Sequence, residues 1–286
     1  MKNHAILVET HANVDLLAMV IERLKADNHY FFVHVDKKTK NYKDFLSLSS
    51  DHVIFSRKRY KVNWGSIEQV LLTLELIYTA ESKGIQFDYY HLISGQDYPV
   101  VDNVSFDTYF ENNDKSYFEL DTKTPFETRY MFFHLNSLVN VRSRWGQKLE
   151  RTFVKFQRGV FLKCNLRKSL ELTPYKGSNW WSMTHSMMEY ILEFLKRHPD
   201  YIERFKYTSC CDEVFFHTIA FNSPLIGSIE NDDLRYVDWK RKYPEESLPR
   251  ILDENDYDDI ISSNAIFARK IVVDKSGVLI NLIRGI

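Results

Sequence analysis

The sequence predicts an α/β protein with a mostly parallel central sheet flanked by helices. Three observations carry this. Strand-like and helix-like segments alternate through the first half of the chain. With 286 residues, 44% of them hydrophobic, the chain can bury a sizeable core. No repeat and no Gly/Ser- or Pro-rich linker divides it, so residues 1–286 are read as one domain.

The elements follow in order. "HAILVETH" (4–11) reads as a buried strand. "NVDLLAMVIERLKADN" (13–28) has apolar residues at 16, 17, 20, 21 and 24, with Asn13 and Asp15 near its start, which is a helix. "YFFVHVD" (30–36) and "HVIFS" (52–56) are strands. "SIEQVLLTLELIYTAESKG" (66–84) is a helix closed by Gly84. "YYHLISG" (89–95) and "SYFELD" (116–121) are further strands. Ligands of open α/β sheets sit at the carboxyl ends of the strands, which here supply His11, Asp36, Trp64, Ser94 and Asp97. That rim suits a nucleotide or a sugar. A glycine-rich dinucleotide fingerprint and a P-loop are both missing from the sequence.

Composition narrows the partners. A net charge of -1 gives no overall signature of nucleic-acid binding. Cys164, Cys210 and Cys211 form neither a disulfide framework nor a zinc pair, and are expected to be reduced, as in the cytoplasm. The N-terminus does not read as a signal peptide, and no run approaches the length of a membrane span.

"TSCCDEVFFHTIAF" (208–221) places Asp212 and Glu213 side by side before an apolar run. Read as structure, they are first-turn acids on a helix dipole, with Thr208 or Ser209 as N-cap. Read as function, they are candidate catalytic carboxylates.

Seven stretches bear on the choice. "FFVHVDKK", "VNWGSIEQV", "YYHLISGQDYPV", "GSNWWSMTHSMMEYI", "CCDEVFFHTI", "LRYVDWKRKYPEESLPRIL" and "AIFARKI", in that order, resemble the core-2/I-branching β-1,6-N-acetylglucosaminyltransferases and the related peptide O-xylosyltransferases. The resemblance runs from about residue 4 to 271. It implies a GT-A-type fold, a UDP-sugar donor, inversion at the anomeric carbon, and neither cofactor nor metal. Glu213 matches the catalytic base, and Asp212 then caps or orients. His11 and Asp36 match donor-site positions near uracil and ribose. Arg250 and Lys270 match the basic residues that stabilise the leaving UDP, with Arg269 as a close neighbour. Trp239 matches an aromatic that stacks on the acceptor sugar, and Arg241 stands where the animal enzymes carry Tyr. Trp64 is expected to pack under the donor site, and Trp180 and Trp181 to be core or site wall.

A D-x-D at Asp256 and Asp258 lies in "DENDYDDIISS", which reads as an exposed, capped helix start rather than a metal site. The anchor, stem and disulfides of the animal enzymes are not expected from this sequence. The chain is therefore expected to act in the cytoplasm of a bacterium, on a surface polysaccharide whose acceptor is carried on a lipid at the inner membrane face. Residues 142–168 hold nine Lys/Arg and one acid, Glu150, with apolar residues at 145, 149, 153, 156 and 160. Such a helix either lies on anionic lipid or packs on the domain by its apolar stripe. Two rivals to the transferase reading are a hydrolase using Asp212 and Glu213 and a non-catalytic sugar- or nucleotide-binding protein.

Overall fold

A computed structural model describes residues 1–160, 167, 170–240 and 247–286. Its strands are β1 (His4–Thr10), β2 (His29–Val35), β3 (Val53–Phe55), β4 (Tyr89–Ser94), β5 (Asp97–Pro99), β6 (Ser116–Leu120), β7 (Gly177–Thr184), β8 (Ile229–Glu230), β9 (Arg235–Val237) and β10 (Phe267–Arg269). Seven form the main sheet in the order β3-β2-β1-β4-β7-β6-β8, and three form a small sheet, β5-β10-β9. In the main sheet β7 pairs antiparallel with β4 and β6, and every other pairing is parallel. All main-sheet strands except β7 therefore run one way. The carboxyl ends of β1, β2, β4 and β6 meet the amino end of β7 at one edge of the sheet.

The helices are α1 (Val14–Arg23), α2 (Tyr42–Leu46), α3 (Ile67–Glu81), α4 (Asn103–Glu111), α5 (Glu127–Met131), α6 (Arg144–Val160), α7 (His185–Arg197), α8 (Asp200–Phe205), α9 (Asp212–Phe221), α10 (Tyr257–Ser262) and α11 (Val273–Arg284). Side chains alternate across the sheet, as the two-residue period of a strand requires. Ala5 and Leu7 of β1 pack with Leu74 and Ile77 of α3, Met187 of α7 and Phe216 of α9. Ile6 and Val8 pack on the other face with Leu17 of α1, Phe106 of α4 and Ile280 of α11. Both faces are covered, so the central strands read as nearly continuous apolar runs.

The predicted strands and helices are present, with shifted ends. The first helix stops at Arg23 rather than 28. Helix α3 stops at Glu81, and Gly84 takes the left-handed φ of 74° beyond it. Two helix starts differ from expectation. Neither Thr208 nor Ser209 caps α9. The Thr208 hydroxyl accepts from Arg167 Nη1 at 2.8 Å, the chain turns at Cys210 with φ 48°, and Cys211 precedes the helix without a side-chain cap. Near residue 254 a capping box does form, between Asp253 and Asp256, but Asp256 is buried rather than exposed. Cys210 and Cys211 are free and buried; Cys164 lies outside the described residues.

Candidate active site

A cleft of about 1160 Å³ opens where the strand ends converge. Its floor comes from β1 and the turn after β4. Glu9, the last side chain but one of β1, accepts a hydrogen bond from Thr73 Oγ1 at 2.6 Å. Burial pushes its carboxyl up to about 8, and the charge of nearby Asp212 adds to that. Beside it, a Cβ on Gly95 would lie 2.2 Å from Thr10 Oγ1, so only glycine lets this turn close against β1.

The ends of β1 and β2 make one wall. Asp36 is 7% exposed and accepts from the backbone N–H of Lys38 at 2.7 Å and of Val62 at 3.3 Å. Two N–H bonds thus hold the carboxylate still on the wall. His11 stands on the rim. Desolvation holds its imidazole below the ordinary value, and the charge of Asp36 opposes this.

The small sheet makes a cationic wall. Arg269 Nη1 donates to the Ser94 hydroxyl and to Asp97 at 3.1 Å, and its guanidinium lies 4.7 Å from the ring centre of Trp180. Arg235 approaches the same ring from 5.9 Å and donates to the carbonyls of Asp233 and Leu92. Lys270 follows Arg269 and is partly buried. Burial holds its ammonium below the ordinary value, and Arg269 and Arg142 reinforce the shift. Lys270 thus sits beside Arg269 and Arg142 at an electrostatic cost that an anion would relieve, while Asp97 and Asp233 partly offset Arg269 and Arg235.

Glu213 and Asp212, from the first turn of α9, face this cationic group. Glu213 accepts from Arg129 Nη1 of α5 at 2.5 Å, and each side chain is about a quarter exposed (27% and 25%). Asp212 is buried, and Oδ1 has no hydrogen-bond partner among the described residues. Burial raises its carboxyl, with the Glu213 charge as the next cause. Gly65 fixes this corner: its φ is 67°, and its carbonyl accepts from the Cys210 N–H at 2.9 Å.

The expected site residues thus divide. His11, Asp36, Glu213 and Trp239 line one cleft, and so do Arg269 and Trp180, whereas Lys270 stands just behind that lining, next to Arg269. Trp239 is 64% exposed at its mouth. Trp181 is fully buried core. Trp64 is 46% exposed on the rim beneath Arg142, not packed under a donor site. Arg250 departs furthest from expectation. It is 2% exposed, and its guanidinium donates to Asp238 at 2.8 Å, to Asp256, and to the Ile251 carbonyl. Its charge is spent inside the protein, and it fixes the segment whose Leu248 and Pro249 line the cleft. Arg241 lies outside the described residues.

Sequence reasoning missed Glu9, Arg129 and Arg235. An acid near the end of the apolar run "AILVET" was the available signal for Glu9. Arg129 sits in a five-residue helix and carries no pattern. As for metal, Asp256 of the D-x-D is held by Arg250. Among the described residues, ligand atoms close enough to share an ion belong to His4, His29 and Asp107, at the opposite end of the sheet.

The family model of the Core-2/I-Branching enzyme matches residues 5–261. The chain belongs to that family. Its members are glycosyltransferases. Xylosyltransferase 2 of Rattus norvegicus is 25% identical over 232 residues, covering 79% of this chain and 25% of the relative. Xylosyltransferase 1 of the same species is 25% identical over 224 residues, covering 75% of this chain and 25% of the relative. The chain therefore spans about a quarter of the length of these relatives. The structure of mouse Xyloside xylosyltransferase 1, apo form, aligns with a TM-score of 0.38 at 10% identity, covering 94% of this chain and 97% of that one.

Proposed function

We propose that this Core-2/I-Branching family member is an inverting glycosyltransferase with a GT-A-type fold. It moves a sugar, GlcNAc, from a UDP-sugar to a glycan hydroxyl in bacterial surface polysaccharide synthesis, without a metal. The observation that carries the reading is that Glu213, Asp36 and Arg269 line one cleft, with Lys270 next to Arg269 in the chain and coupled to its charge. A carboxylate and an anion site face each other there, as inverting transfer requires.

In this reading Asp36 and His11 hold the nucleoside, and Arg269 and Lys270 meet the diphosphate. The acceptor oxygen attacks the anomeric carbon as the bond to the diphosphate oxygen breaks. UDP leaves with the electron pair, and the hydroxyl proton passes to Glu213. One carboxylate suffices, because no covalent intermediate forms; a retaining hydrolase needs two. Arg129 orients Glu213 from the side, and Trp239 offers its exposed face to the acceptor ring. The cations take the place of a divalent ion in stabilising developing charge on UDP. Arg250 is assigned to holding the cleft wall, not to the donor.

Titration calorimetry with UDP in EDTA tests this. Micromolar binding is expected, weakened about tenfold or more in Lys270→Ala, the loss of one charge-assisted contact. Binding only with added Mn²⁺ would overturn the metal-free reading. No binding in either buffer would overturn the donor site.

A further inference from the structure

Helix α6 turns its amphipathic pattern inside out. Its buried residues are Gly146 and Gln157. Gln157 accepts from the Phe133 N–H at 2.9 Å and donates to the Phe133 carbonyl at 2.8 Å. Glu150 accepts from the Leu135 N–H at 2.9 Å and bonds His134 Nδ1 at 2.6 Å. The helix is thus docked mainly through its polar side. Its apolar stripe points largely away from the protein: Trp145 is 81% exposed, Leu149 50%, Phe156 63% and Val160 57%, with Phe153 half-buried between them. At 1.5 Å per residue the stripe is about 22 Å long. Arg144, Lys148, Arg151, Lys155 and Arg158 are all exposed alongside it. The one acid of the helix is the inward Glu150, so the outward surface carries cations alone.

We infer that α6 lies in the headgroup layer of an anionic lipid bilayer and holds the cleft mouth against a lipid-carried acceptor. An apolar stripe with Trp and Phe, flanked by Lys and Arg, is the composition that embeds a helix in the interface. A second copy of the chain is a poor occupant, because two such faces would bring five cations against five. The face is continuous with the cleft. Arg142, three residues before Trp145, lines the cleft and lies 4.9 Å over the Trp64 ring. Trp64 and Trp239 add exposed aromatic surface at the mouth, of the kind that settles at headgroup level. Arg167, also in the basic stretch, is buried against Thr208 and the Phe132 carbonyl, and takes no part. The acceptor half of the inference rests on the transferase reading; the lipid contact does not.

Co-sedimentation with vesicles tests it. The chain is expected to pellet with equal parts phosphatidylglycerol and phosphatidylcholine, and to stay in solution with phosphatidylcholine alone. Lys148→Glu/Arg151→Glu/Lys155→Glu should cut that binding more than tenfold, since it turns three attractive charges at an anionic membrane into repulsive ones. Trp145→Ser/Phe156→Ser should abolish it. All five positions are exposed, so thermal stability should hold in both variants, and so should UDP affinity. Wild-type chain left in solution with both vesicles overturns the inference, as does binding that neither variant weakens. A dimer dispersed by Trp145→Ser, with no lipid binding, gives the face to a second copy and also overturns it. Vesicle binding without UDP binding upholds the surface and sinks the transferase reading instead.

Discussion

At the amino ends of β1 and β2, His4, His29 and His91 are buried as a plug beside a partly exposed Asp107; at the carboxyl ends of the same strands, Glu9 and Asp36 face an open cleft. Most of the plug's polar atoms are paired, with His4 Nε2 left without a hydrogen-bond partner among the described residues. His29 Nε2 lies 2.9 Å from Asp107, His4 Nδ1 lies 3.0 Å from His91 Nε2, and His91 Nδ1 lies 2.9 Å from Ser182 Oγ. The cleft keeps valencies open: Asp212 has an unpartnered oxygen, and Glu213 and Lys270 are partly exposed. One sheet thus seals polar groups for stability at one end and leaves them available for chemistry at the other.

The largest expected effect separates the two ends cleanly. Glu213→Gln should lower turnover about 10²- to 10⁴-fold, the usual range for removing a general base. UDP affinity should stay within about twofold, because in the proposed reading Glu213 acts on the acceptor and not on UDP. His29→Ala, in the plug, should lower the melting temperature and leave turnover of the folded fraction unchanged. Steady-state kinetics on both variants decides. Full activity in Glu213→Gln would move the base to Asp212 or end the transferase reading.

Arg250 and Lys270 sharpen the same contrast within one segment of chain. Arg250→Met should cost roughly 3–5 kcal/mol, because it removes the cation that pairs the buried Asp256 and the half-buried Asp238. Lys270→Ala removes a cation from a group of like charges, so its stability should change by no more than about 0.5 kcal/mol. Denaturant melts together with UDP titrations give both numbers. If Arg250→Met melts like the wild type and loses UDP, then Arg250 belongs to the cleft and the buried cage is the wrong account of it.

Much of this was legible in the sequence, and the failures have physical causes. Strands β1, β2 and β4 could be read because both faces of the sheet are covered, which leaves continuous apolar runs. β7 gave no such signal: "GSNWWSMT" mixes polar and aromatic residues, because half of it pairs in the core and half lines the cleft. The cleft residues at strand ends followed from parallel topology alone. Arg250 could not be resolved that way. Whether an arginine faces a ligand or an aspartate depends on residues 6 and 12 positions away, Asp256 and Asp238, brought in by the fold. The stripe of α6 was visible, but not its direction, since a helical period says which residues share a face and not what the face meets.

A pH-dependent effect smaller than that of Arg250→Met lies at Glu9, where burial acts on an acid as it acts on the histidines of the plug. Burial holds His4 down to about 3, and so uncharged. It pushes Glu9 from an ordinary 4.5 to about 8, so that it too is uncharged at neutral pH. The sign follows from linkage. Between about 4.5 and about 8 the folded chain keeps a proton that the unfolded chain has released, so rising pH favours unfolding across that window. Glu9→Gln preserves an acceptor for Thr73 and removes the titration. It should melt like the wild type near pH 4.5 and gain stability steadily toward pH 8. The gain there should be about 1–2 kcal/mol once the partial exposure of the side chain is discounted. Melting curves of both proteins across that range measure it. A difference that stays constant with pH would mean that Glu9 is ionised throughout, and that the cleft floor carries a full negative charge beside Asp212.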